Sequence, residues 1–279
     1  MFAVMDDVRH TLRMSWVDPA FRSVSAHPLF FTAAWAATRP NMTRSFAAGA
    51  DRLRLTAIDL MRPAPGAPRI QPGGDSIPEG NSFQWDLGTL ERERLIRTVQ
   101  AVLHAAPKVA LVLQAWSLLA RRRRVPGTGL EEPPAKRGIP SWQEDLVAFP
   151  RSVSPEADAL IDDATVELGL VAAPSALQAV AAWPHFLEDA WTRLQPLARS
   201  PRWQDAVTRV RGSGAQVLRT LPHPMDLQWE AIGRRGFTED RRKALAEHAV
   251  ALAAGMPVNV LVAAFLWWRL GGPELPGES

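Results

Sequence analysis

The feature that most constrains this chain is that it resembles itself. Displaced by 156 residues, positions 6–40 lie over positions 162–196 without a gap, and 11 of the 35 pairs are identical. They include Asp6/Asp162, Ala20/Ala176, Pro28/Pro184, Phe30/Phe186, Trp35/Trp191 and Pro40/Pro196. Unrelated stretches of this composition would agree at roughly two or three places. A weaker echo follows at a displacement of 150, pairing Leu95, Ala101, Pro107 and Leu111 with Leu245, Ala251, Pro257 and Leu261. A tandem duplication accounts for both: one repeat over 1–120, a second over 151–279, and a linker over 121–150. The linker is rich in proline, glycine and charge, as a surface connection would be.

The local signals inside each repeat are helical. Ser154 and Asp18 each precede a proline, which places an N-cap before a residue suited to the first helical position. Thr238 precedes Glu239 and Asp240, another helix start. The run from Arg92 to Arg122 carries apolar residues at helical spacing, with Pro107 expected to break or kink it, as Pro257 should in its counterpart. Residues 62–83, dense in proline and glycine, read as a loop. No segment shows sustained strand alternation. The expected fold is all-α: two tandem helical repeats facing each other across an approximate two-fold axis, as an intramolecular pseudo-dimer. Trp35, Trp191, Phe30 and Phe186 are its expected matched core anchors.

Composition then removes whole classes of function. The chain has no cysteine, which excludes disulfides, thiolate metal sites and cysteine redox chemistry. Its six histidines show no ligand spacing, so no metal is expected. There is no phosphate-binding glycine loop and no nucleophile elbow. The net charge is only +3, and the arginines at 121–124 read as a solvated helix end, so no nucleic-acid partner is expected. Residues 249–268 are uncharged and long enough to span a bilayer, but Gly255, Pro257 and Asn259 favour a buried core helix, and no membrane partner is expected. The acidic start "MFAVMDDVRH" lacks the pattern of a secretion signal, and a cytoplasmic location is the expectation.

A duplicated fold puts its default pocket in the cleft between repeats. Two equivalent turns approach that cleft, "WVDPA" (16–20) and "AAPSA" (172–176), each ahead of a helix.

These residues carry a resemblance. The stretches "DDVRHTLRMSWVDPAFRSVSAHPLFFTAAW" (6–35), "APKVALVL" (106–113) and "APSALQAVAAWPHFL" (173–187) resemble the group I 2-haloacid dehalogenases, which act on D- and L-2-halocarboxylic acids. The resemblance implies an all-α fold of two repeats with a long linker, and hydrolysis without a cofactor. In that chemistry an aspartate activates water, which attacks the halogen-bearing carbon directly and leaves a 2-hydroxy acid. Carried over by position, the family's pocket tryptophan falls on Trp16, a pocket phenylalanine on Pro19 and a pocket serine on Ser175. The water-holding asparagine, which precedes a Pro-Lys pair, falls on Ala106. The catalytic aspartate, which follows the serine, falls on Ala176.

Both central polar positions are therefore methyl groups, and two substitutes are open. Asp18 lies in the first repeat's equivalent turn, where its plainer role is to cap the helix before Pro19. His104 lies just upstream of Ala106 and titrates in the physiological range, although a structural hydrogen bond is its plainer role. Lys108 reads as a snorkelling surface lysine. Two functional readings follow: a hydrolase of short 2-halocarboxylic acids using a substitute base, or a non-catalytic relative that binds a small carboxylate or apolar ligand between the repeats. A homodimer is left open.

Overall fold

A computed structural model describes residues 1–62, 87–146, 149, 154–272 and 275. The first five helices are α1 (Phe2–Leu12), α2 (Pro19–Val24), α3 (Pro28–Thr38), α4 (Arg44–Leu60) and α5 (Thr89–Ala120). The remainder are α6 (Pro155–Glu167), α7 (Ser175–Ala179), α8 (Pro184–Ala198), α9 (Pro201–Arg219), α10 (Trp229–Arg234) and α11 (Glu239–Arg269). The described residues contain no sheet, only two isolated bridges. All-α is the fold class.

The sequence signals explain where helices start. Five of them open on a proline, whose missing N–H costs nothing in a first turn. Ser154 accepts from the Ala157 amide at 3.2 Å, and Thr238 from the Arg241 amide at 3.3 Å. The element order repeats as well. Pro28 and Pro184, which open α3 and α8, are 156 residues apart, while Thr89 and Glu239, which open α5 and α11, are 150 apart. The short α10 has no counterpart in the first series.

Four long helices, α4, α5, α9 and α11, pack each against the other three, and α5 against α11 is the most extensive contact in the molecule. One apolar core runs through them from Val8 to Leu270. At one end Trp116, fully buried on α5, meets the rings of Phe21, Phe30 and Phe31 at 5.4, 6.1 and 5.0 Å. Its indole N–H donates to Thr38 at 2.9 Å. Trp35, Trp191, Phe30 and Phe186 are all buried, as matched anchors should be. Between α4 and α9 the helices approach closely, since a Cβ on Gly49 would fall 2.5 Å from a Val217 methyl.

Three expectations need correction. Pro107 and Pro257 do not break their helices: both lie inside continuous α5 and α11, each removing one donor from the backbone ladder. Burial of these two helices against each other compensates for that loss. The linker is only partly a surface segment. Val125 exchanges backbone hydrogen bonds with Met225, and buried Gln143 accepts from the Ser15 amide and hydroxyl at 3.1 and 2.6 Å. Lys108 does not snorkel, because its side chain is enclosed in α5's buried face. The loop expected at 62–83 lies, beyond Arg62, outside the described residues.

Both α5 and α11 are long and apolar enough to cross a membrane, but most of each apolar stretch is buried inside the molecule. The 249–268 segment is thus part of a core helix.

Candidate active site

The two equivalent turns do meet. Asp18, Pro19 and Ala20 form one wall of a cavity of about 60 Å³, residues 170–175 form another, and α11 closes it with Gly255, Met256 and Asn259. That volume holds a few waters or a very small acid.

Local backbone geometry places the polar groups. Pro19 has no N–H, so the Asp18 carboxylate caps the next free donor and accepts from the Ala20 amide at 2.9 Å. This leaves the carboxylate almost enclosed, with 4% of its surface exposed. Across the cavity, Ser175 opens α7. Asn259, the lone amide in an apolar stretch of α11, is buried beside it.

The orientation of Asn259 follows from its neighbours. The Ala176 N–H can only donate, and it donates to Asn259 Oδ1 at 3.0 Å. Nδ2 therefore faces Ser175 and donates to its hydroxyl oxygen at 2.9 Å. The Ser175 hydroxyl proton is then free to turn toward the Asp18 carboxylate, whose charged form the hydroxyl favours. Hydrogen bonds between Asn259 and both Ser175 and the Ala176 amide thus tie α11 to α7, and the Ser175 hydroxyl acts on Asp18 from there.

Burial pushes the Asp18 carboxyl above its ordinary value of 3.8, while the Ala20 amide, the Ser175 hydroxyl and the Arg22 charge oppose that shift. A desolvated carboxylate, raised in basicity and aimed by a hydroxyl, is suited to take a proton from water.

The other sequence candidates go elsewhere. Ala176 contributes only its backbone amide, and Ala106 is buried in α5 outside the cavity lining. Trp16 also stays outside the lining, packed edge-on against Phe149 at 5.6 Å. His104 and Lys108 form a separate buried pair, with Lys108 Nζ 2.6 Å from His104 Nε2 and 3.2 Å from the Leu12 carbonyl. The cavity thus brings the sequence candidates Asp18, Pro19 and Ser175 together and adds Asn259, which the sequence reading did not name for it. The signal for Asn259 was present: it is the sole hydrogen-bonding side chain from 249 to 266, and a buried amide demands a partner. Among the described residues, no group of three or more histidine, aspartate or glutamate side chains could hold a metal.

The fold is that of the D-2-haloacid dehalogenases. Solved structures of a D-2-haloacid dehalogenase, as a mutant and as a complex with L-LA, each match with a TM-score of 0.77 at 20% identity. A mutant complexed with D-2-CPA matches at 0.79 and 18% identity. Each comparison covers 96% of this chain and 91% of the other.

Sequence relatives carry similar names. A configuration-inverting 2-haloacid dehalogenase of Pseudomonas sp. (strain 113) is 25% identical over 244 residues, 84% of this chain and 76% of the relative. An (R)-2-haloacid dehalogenase of Rhizobium sp. (strain NHG3) is 26% identical over 236 residues, 82% and 86% of the two chains. No family model matches the chain.

Proposed function

We propose that the chain is a cofactor-independent hydrolase of short 2-halocarboxylic acids with Asp18 as its general base. The observation that carries this reading is the enclosed Asp18 carboxylate on the wall of the inter-repeat cavity, with Ser175, itself held by Asn259, lining the same cavity and favouring its charged form. The fold and the named sequence relatives support the substrate class.

In the reaction, Asp18 takes a proton from a water molecule while the water oxygen bonds to C2 of the substrate. The carbon–halogen bond breaks, and the halide leaves with the bonding pair. The product is a 2-hydroxy acid of inverted configuration, because attack comes from the side opposite the leaving group. The Ser175–Asn259 pair holds the carboxylate in place, and the water is poised against it. The base thus comes from the turn ahead of α2 rather than from position 176, and the amide comes from α11 rather than from position 106.

The test is halide release from D- and L-2-chloropropionate by wild type and Asp18→Asn. Asparagine caps a helix as well as aspartate does, so the variant should keep its melting temperature. It should lose roughly 10²–10⁴ of its rate. Wild-type activity should also fall as the medium is acidified through the raised Asp18 value, since only the ionised carboxylate accepts the proton. No halide release by concentrated wild-type protein would overturn the reading.

One observation favours a second reading, in which the cavity binds a small carboxylate without turning it over: Asp18 is already committed to the Ala20 amide. Thermal stabilisation by 2-hydroxy acids in the absence of halide release supports that alternative.

A further inference from the structure

The cavity has a second polar feature, on the far side of α2 from the Asp18 cap. Ser23 lines the same cavity, and its hydroxyl lies 2.6 Å from Nε2 of His248 on α11. Both side chains are partly exposed. His27 lies within electrostatic reach of His248, and Arg241 within reach of His27. Arg22, next in sequence to Ser23, is exposed and acts electrostatically on Asp18. Arg22, His27, His248 and Arg241 surround this corner, with Glu247 exposed beside His248, and the Asp18 carboxylate lies at the other end of α2.

Hydrogen-bond supply separates Ser23 from the other polar lining groups. Asp18 accepts from the Ala20 amide, Ser175 accepts from Asn259, and Gln178 donates to the Ala173 carbonyl at 2.8 Å. The partner of Ser23, by contrast, is His248, which is not among the residues lining the cavity. A hydroxyl has one proton and two lone pairs. When Nε2–H of His248 donates to Ser23 Oγ, the hydroxyl proton turns into the cavity as a donor backed by an imidazole. None of the lining residues is a lysine or arginine, so an anion held here is held by such donors.

We propose that Ser23, backed by His248, anchors the carboxylate of a small monocarboxylic acid in this cavity. The proposal rests on reading the cavity as the site of the proposed function, and it adds the orientation of the ligand. Repulsion from the Asp18 carboxylate drives the ligand's own carboxylate to the Ser23 end. Five residues separate the two along α2, a rise of about 7.5 Å along the axis. Ser23 and His248 act by holding the ligand, and the proton-accepting role stays with Asp18.

The experiment is calorimetric titration of the full chain with lactate and with 2-chloropropionate, alongside the halide assay. Ser23→Ala and His248→Ala should each weaken lactate binding about tenfold or more, as loss of a charge-assisted donor does. His248→Gln, which keeps an N–H able to reach the hydroxyl, should recover much of the affinity. Asp18→Asn should bind lactate at least as tightly as wild type, because it removes the repelling charge; a purely structural role for Ser23 predicts no such opposite response. Lactate binding that depends on Ser23 without any halide release leaves the anchor standing and sinks the hydrolase reading. Halide release with Ser23→Ala binding lactate as wild type does, or no lactate binding by wild type at all, overturns the anchor. If His248→Ala does not fold, the comparison of Ser23→Ala with His248→Gln decides.

Discussion

His104 shows how much burial changes what a residue can do. Read from sequence, it was a candidate base near neutral pH, with Lys108 one turn away at the surface. In the fold both are enclosed, and the lysine ammonium donates to His104 Nε2, so that nitrogen's lone pair is spent. Burial, followed by the charges of Lys108, Arg54 and Arg13, holds the imidazole well below its ordinary value of 6.5. The native histidine is therefore neutral where the unfolded one becomes charged. Its contribution to stability is fully present above about pH 6.5 and is lost as the pH falls toward the depressed native value, at about 1.4 kcal/mol per pH unit. Urea titrations between pH 7 and pH 5 should show that slope in wild type and a flatter one in His104→Gln, which still offers Lys108 an acceptor. Parallel slopes in the two proteins would rule this account out. Asp18 and Ser175, in contrast, were legible as neighbours of one cavity because each sits at a helix start that the chain repeats. Asn259 was not singled out, since its meaning depends on an amide 83 residues away.

Helix starts were readable because they depend on neighbours in sequence: a cap, a proline, an acid. Helix continuity through Pro107 and Pro257 was not, because tertiary burial offsets one lost backbone bond. The same holds for the aromatic cluster on α5. Trp116 packs against residues contributed by α2 and α3, which lie more than eighty positions earlier, and no local pattern announces them. Its replacement should therefore loosen α5 from both short helices at once. Trp116→Ala is expected to cost about 3–5 kcal/mol in chemical denaturation, the range for emptying a fully buried aromatic site. Trp116→Phe should cost much less, since Thr38 keeps its bond to the Ala34 carbonyl. A loss under about 1 kcal/mol for the alanine variant would mean that the cluster does not hold these elements together.

At the scale of the molecule, the two helix series share one core, and their longest helices, α5 and α11, are buried chiefly against each other. We expect neither 1–150 nor 151–279 to fold by itself, because each alone would expose the apolar face of a helix some thirty residues long. Co-expression of the two pieces should restore helical circular dichroism and a cooperative thermal transition. A cooperative transition in either piece alone would show that the repeats are independent domains. By itself the sequence determined the helical class, the positions of the caps and the internal periodicity, since all of these follow from short-range chemistry and self-similarity. Only the tertiary structure decided which polar groups share the cavity. It enclosed His104 with Lys108, left Trp16 outside the lining, and set Asp18 in one cavity with the hydrogen-bonded pair Ser175 and Asn259. The physical reason is that desolvation and hydrogen-bond partnership are properties of neighbours in space, and in this fold those neighbours come from helices far apart along the chain.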